Sequence, residues 1–152
     1  MTGARDAAAG ETVVRATTVA HGGRALLLRG PAGAGKSALA LQMIALGAAL
    51  VADDRTVLRA ADGVLRAAPP PAIAGLIEAR GLGLLRLPHT ADVPVAAVAD
   101  LGAAETARLP PLRTTALLGH EIALYRRVAG AHVASALLLA LSHPPIDPDA
   151  PS

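Results

Sequence analysis

The sequence has no cysteine and no tryptophan or phenylalanine; Tyr125 is its single aromatic residue apart from five histidines. Without cysteine, disulfides and thiolate metal sites are excluded, and a reducing compartment fits. Without rings there are few platforms on which single-stranded nucleic acid could stack. The formal net charge is only +2 and the arginines are scattered, so neither a nucleic-acid nor a membrane partner is expected. Long apolar runs are missing too. The run Val133 to Leu141 falls far short of the roughly 20 residues that span a bilayer. Met1 to Val14 contains Asp6 and Glu11 and no apolar stretch of the signal-peptide kind, so a cytoplasmic location is the expectation.

What is present is aliphatic: 53% of the 152 residues are hydrophobic, most of them Ala, Leu and Val. That is enough for one core. We expect a single domain over 1–142 and a disordered Pro-rich tail over 143–152. Ala25 to Arg29 reads as a buried strand running into a glycine-rich turn. From Lys36 to Leu46 apolar residues recur at helical spacing, and Gly47 stands where a helix stops. Ala48 to Ala52 reads as a second buried strand ending on Asp53 and Asp54. Thr56 to Ala60 and Val64 to Ala67 flank Asp62-Gly63 as a hairpin. Pro69 to Pro71 form a rigid connection, and Gly81 and Gly83 predict an irregular loop entering a strand. Val93 to Leu101 is a further strand, Leu109 to Leu112 a connector, and Ala129 to Leu141 a helix. The strand, loop, helix, strand order makes the chain α/β.

The chemistry concentrates in Gly30-Pro31-Ala32-Gly33-Ala34-Gly35-Lys36-Ser37, which fits the Walker A pattern. The glycines let successive backbone N–H groups turn inward on phosphate oxygens, and the helix beginning there adds its positive end. Lys36 supplies a cation for the phosphates and Ser37 a hydroxyl for Mg²⁺. Asp53 and Asp54 follow a strand, where one carboxylate can serve the metal and the other act as base for an attacking hydroxyl. Taken alone, the pair would read as an acidic turn. Glu78-Ala79-Arg80-Gly81-Leu82-Gly83 groups an acid, a base and two glycines, an arrangement that a surface ion pair would also explain. The histidines have no metal-ligand spacing.

Together, GPAGAGKS, the acid pair 16 and 17 residues after the serine, and IEARGLGLL resemble the catalytic domain of HPr kinase/phosphorylase, most closely its short α-proteobacterial form. The resemblance is clear from Val19 to Leu87 and weaker to Leu141. It implies a phosphoenolpyruvate-carboxykinase-like P-loop fold with a mixed sheet and a Walker A helix. It also implies an ATP- and Mg²⁺-dependent serine kinase acting on an HPr-type phosphocarrier, and a homo-oligomer, commonly a hexamer. It places the catalytic lysine at Lys36 and the proton acceptor at Asp54. Metal ligands fall on Ser37 and Glu78, beside Asp53, and a later active-site arginine falls on Arg108.

The match departs from the family in three places. The active-site histidine aligns with Arg15, and His21 is six residues out of frame. The acid usual after the P-loop serine is Ala38, and the glycine-arginine-asparagine segment tied to dephosphorylation has no counterpart around Arg126 to Gly130. The expectation is therefore a slow kinase with a still weaker phosphorylase reaction. A regulatory nucleotide-binding module is the alternative; a small-molecule P-loop kinase fits the Glu78 motif less well.

Overall fold

The computed structural model describes residues 10–150. The chain opens with β1 (Gly10–Val14), β2 (Thr17–His21) and β3 (Arg24–Arg29), then α1 (Lys36–Ala45) and β4 (Ala49–Ala52). Two hairpins follow, β5 (Thr56–Ala61) with β6 (Val64–Ala68) and β7 (Leu76–Ala79) with β8 (Gly83–Arg86), separated by a short 3-10 helix at Pro71–Ile73. The long β9 (Val93–Ala104), β10 (Thr114–Leu117), β11 (His120–Arg127) and α2 (Val133–Ser142) complete it.

Strand β3 lies between β2, antiparallel, and β9, parallel; β4 flanks β2, and β11 runs parallel to β9 with β10 beyond it. The start of β9 also pairs with β6 through Val93 and Pro94, continuing into the antiparallel β6, β5 and β1. The 12 residues of β9 thus join the two parts of one curled, mixed sheet. The α/β class expected from the pattern and the mixed sheet implied by the resemblance are both present.

The period-2 geometry of a strand explains why β3 is apolar throughout. Leu26 and Leu28 face a core shared with Leu39, Met43, Leu137 and Leu141 of the two helices. Ala25 and Leu27 face the opposite way, toward Leu58 and Leu65 of the β5–β6 hairpin. On α1, Lys36, Leu39, Ala40 and Met43 are the buried positions, the i, i+3, i+4, i+7 stripe of a helix lying on a sheet. Met43 is fully buried, and burying a side chain of that size contributes about 1.5–3 kcal/mol.

Several details differ from the sequence-based expectation. Strands β1, β2, β10 and β11 lie where no strand was expected. The stretch around Gly81 forms the β7–β8 hairpin, closed by the Leu82 N–H on the Ala79 carbonyl at 2.9 Å. The second helix begins at Val133 rather than Ala129, because Gly130 turns the chain at φ 123° just before it. Past α2, residues 143–150 form neither helix nor strand, with a turn closed by the Ala150 N–H on the Asp147 carbonyl. Among the described residues no helix is long and apolar enough to cross a membrane.

Candidate active site

The P-loop leaves β3 at Gly30, whose φ of 148° and tight surroundings make any side chain strained: a Cβ there would meet Ala34 Cβ and Gly102 N at 3.2 Å. Gly35, at φ 95°, occupies the N-cap of α1 and supplies no capping side chain, and the first turn holds no acid. The backbone N–H groups and the positive end of α1 are therefore available to an anion. The Lys36 ammonium is buried and donates to the Gly30 carbonyl at 2.7 Å, so the cation lies folded back across the loop it serves.

Beneath the loop lies a cluster centred on Asp53. Its Oδ1 accepts from Ser37 Oγ at 2.7 Å and from Thr17 Oγ1 at 3.0 Å, and its Oδ2 accepts from the Glu78 backbone N–H at 2.9 Å. Strand β4 carries the acid to this point, α1 brings Ser37, β2 brings Thr17 and β7 brings Glu78. Thr17 also accepts from the Asp54 N–H at 3.1 Å, and the Ala16 N–H donates to the Asp54 carbonyl at 3.0 Å. The acid pair is thereby pinned to the start of β2. A tight turn, with the Arg55 N–H on the Asp53 carbonyl at 2.7 Å, holds Asp54 at φ 65°. Behind it Thr18 and Thr56 are buried and bonded to each other at 2.8 Å, and Thr56 donates to the Ala16 carbonyl, so no hydroxyl there is left unsatisfied.

Asp54 points outward, with its carboxylate 3.8 Å from the Arg15 guanidinium and both side chains more than half exposed. An exposed pair of this kind is worth about 0–1 kcal/mol, so Arg15 attends Asp54 without sealing it off. His21 lies at the other end of β2, paired with Arg24, away from the acids.

The structure therefore gathers Lys36, Ser37, Asp53 and Asp54 with the backbone of Glu78. Arg108 is not gathered with them. It is exposed on the connection between β9 and β10, and among the described residues it forms no hydrogen bond or ion pair with the loop or the acids. Two other residues join the site without having been singled out in the sequence. Thr17 is one; the sign available was two threonines opening an apolar strand. Arg127 is the other: it donates to the Leu101 carbonyl at 2.9 Å and lines the cleft beside the P-loop. Among the described residues no three acid or histidine side chains converge on a metal position. The oxygen set of Ser37 and Asp53, with Glu78 adjoining, suits a hard cation that keeps part of its water shell.

The family model described as "HPr Serine kinase C-terminal domain" matches residues 6–91. The HPr kinase/phosphorylase of Clostridium novyi is 40% identical over 78 residues, covering 51% of this chain and 25% of that protein. The HPr kinase/phosphorylase of Bordetella pertussis is 46% identical over 76 residues, covering 45% of this chain and 25% of that protein. The matched part thus spans about a quarter of these relatives. In three dimensions the chain is similar to the Hpr(Ser) kinase/phosphatase of Coxiella burnetii. The TM-score is 0.74 at 21% identity, over 87% of this chain and 89% of that one, which shows the shared fold. With a family match across more than half its length, and a P-loop set over an acid pair, the chain belongs to the HPr serine kinase C-terminal domain family.

Proposed function

We propose that the chain is an ATP-dependent serine kinase of the cytoplasm, acting on an HPr-type phosphocarrier of the phosphotransferase system and so regulating carbon or nitrogen metabolism. The observation that carries the reading is the Asp53 cluster. A Walker serine 2.7 Å from a carboxylate, with a second and exposed carboxylate next in sequence, is the arrangement phosphoryl transfer to a hydroxyl needs.

In this reading the N–H groups of the P-loop hold the phosphates, and Lys36 swings from the Gly30 carbonyl to the donor. Ser37 and Asp53, assisted by Glu78, are the groups that would hold Mg²⁺. Bound there, Mg²⁺ would neutralise charge on the phosphates. Asp54, exposed at the end of β4, receives the proton of the acceptor serine. Arg108 or Arg127 adds positive charge near the transferred group, Arg127 being the nearer to the P-loop. We further propose self-association through the apolar groove formed by Leu109, Leu112, Tyr125 and Ile146.

The Arg15–Asp54 pair favours a second reading, a nucleotide-binding regulatory module with little catalysis. The two readings are separated by incubating the protein with labelled ATP, Mg²⁺ and HPr-type carriers, alongside Arg15→His. A guanidinium stays charged across the working pH range, whereas an imidazole titrates near neutrality. A slow kinase whose Arg15→His variant is faster and gains an inflection near neutral pH supports the enzyme. If neither protein labels any carrier while both bind ATP, the module reading replaces it.

A further inference from the structure

Strand β4 carries an irregularity just before Asp53. Against β2, Leu50 pairs with Val19 and Ala52 with Thr18, so Val51 is left over as a bulge. Side chains of a regular strand alternate between its two faces. Here Leu50 packs in the core shared with α1, whereas Val51 and Ala52 both pack in the core on the other side of the sheet. The bulge reverses the alternation and returns Asp53 to the α1 face, where Ser37 Oγ meets it at 2.7 Å. On β2, Val19 belongs to the core shared with α1, and alternation puts Thr17 on that same face. Thr17 is fully buried, and its hydroxyl accepts from the Asp54 N–H at 3.1 Å while donating to Asp53 Oδ1 at 3.0 Å. An N–H only donates, so the Thr17 hydroxyl proton is committed to the carboxylate.

We propose that Thr17 is a positioning residue for the Mg²⁺ site: its hydroxyl locks the Asp53 carboxylate in one orientation and ties it to the backbone of Asp54. The proposal rests on the phosphotransfer reading above, which gives Ser37 and Asp53 to the metal and leaves open what orients them. Asp53 Oδ1 serves two hydroxyls and Oδ2 one N–H, so the carboxylate keeps a free acceptor position on Oδ2. Without the Thr17 hydroxyl, Oδ1 would be held only by Ser37, itself one of the groups assigned to the cation. The Asp54 N–H would lose its acceptor at the same time. Removing an outer partner of this kind costs about 10–100-fold in metal affinity. Thr18, next in the chain and equally buried, makes the contrast. Its hydroxyl lies on the opposite face, bonded to Thr56, and among the described residues it makes no hydrogen bond to either acid.

The test is calorimetric titration of the whole chain with ATP, once in saturating Mg²⁺ and once in EDTA. The ratio of the two affinities measures how strongly metal and nucleotide are coupled at the site. In the parent it should exceed about tenfold. Thr17→Val keeps the branched shape and removes the hydroxyl; it should lower the ratio about tenfold, with affinity in EDTA within about twofold of the parent. Thr17→Ser restores the hydroxyl and should hold the ratio within about threefold of the parent. Thr18→Val should melt earlier yet keep the parent ratio. If Thr17→Val does not fold, Thr17→Ala set against Thr17→Ser differs by one oxygen atom, and the same loss should separate that pair. A parent-like ratio without the hydroxyl, an equal loss in EDTA, or the same loss in Thr18→Val would overturn the role of Thr17 alone. A parent whose ATP affinity ignores Mg²⁺ removes the metal site itself, and one that binds no ATP removes the P-loop reading; Thr17 falls with either.

Discussion

Asp54 sits at φ 65°, a backbone region that asparagine and aspartate tolerate far better than other side chains. Asp54→Asn should therefore keep the turn, the Thr17 bond to its N–H and the fold, and remove only the charge and basicity of the carboxylate. The expected result is phosphorylation slowed about 10²–10⁴-fold with nucleotide affinity unchanged. Parent-like transfer by a folded Asp54→Asn would show that the proton goes elsewhere. Lys36 is a different case. Its bond to the Gly30 carbonyl makes it part of the loop's own structure as well as the phosphate ligand proposed above, so its truncation would mix the two effects. Its near-complete burial follows from being the first residue of a helix whose N-terminal face lies on the sheet.

Between β9 and β10 the chain is held by Glu105 rather than by regular structure. Its carboxylate accepts from the N–H groups of Thr106 and Ala107 at 3.0 Å and pairs with Arg113. The Ala107 N–H first, with Arg113 and the Thr106 N–H beside it, holds this carboxyl below its ordinary value of 4.5, against the opposing effect of desolvation. A lowered folded value means that Glu105 stabilises the protein above the unfolded value and loses that contribution as pH falls through the folded one. Glu105→Gln should thus melt below the parent at pH 7, with the gap closing in acid, below about pH 4. A gap that stays constant from neutral to acid pH would show that the charge on Glu105 does not matter. The connection is worth testing because it carries Arg108 and one wall of the apolar groove.

At the scale of the whole molecule, that groove gathers several exposed aliphatic side chains in one place. Leu109, Leu112 and Ile146 are 70%, 54% and 86% exposed, and the groove among them measures about 350 Å³. Residues so exposed contribute little to folding, and their replacement by charge should leave the monomer intact. If the groove is where copies meet, Leu109→Asp with Leu112→Asp should convert an oligomer into monomers by light scattering, with an unchanged melting transition. A parent that is already monomeric at micromolar concentration would remove the proposal of self-association.

The sequence by itself determined the Walker loop, the helix behind it, the buried strands on either side and the acid pair, because each depends on local rules. Glycines at fixed offsets, a 3.6-residue stripe in Leu39, Ala40 and Met43, and an apolar run in β3 are visible without a partner. Strands β1, β2, β10 and β11 were not visible. The segments of β1, β10 and β11 are half-exposed, and β2, though buried, opens on two threonines; they are strands because β5, β3 and β9 offer edges to pair with, and strand propensity is set largely by such neighbours. The same reason explains the site. Ser37 and Asp53 were legible as types, but only the sheet order brings β2 beside β4 and so places Thr17 on the carboxylate of Asp53. Arg127 lines the cleft beside the P-loop because β9 is paired in parallel with both β3 and β11, a long-range arrangement that no local spacing encodes.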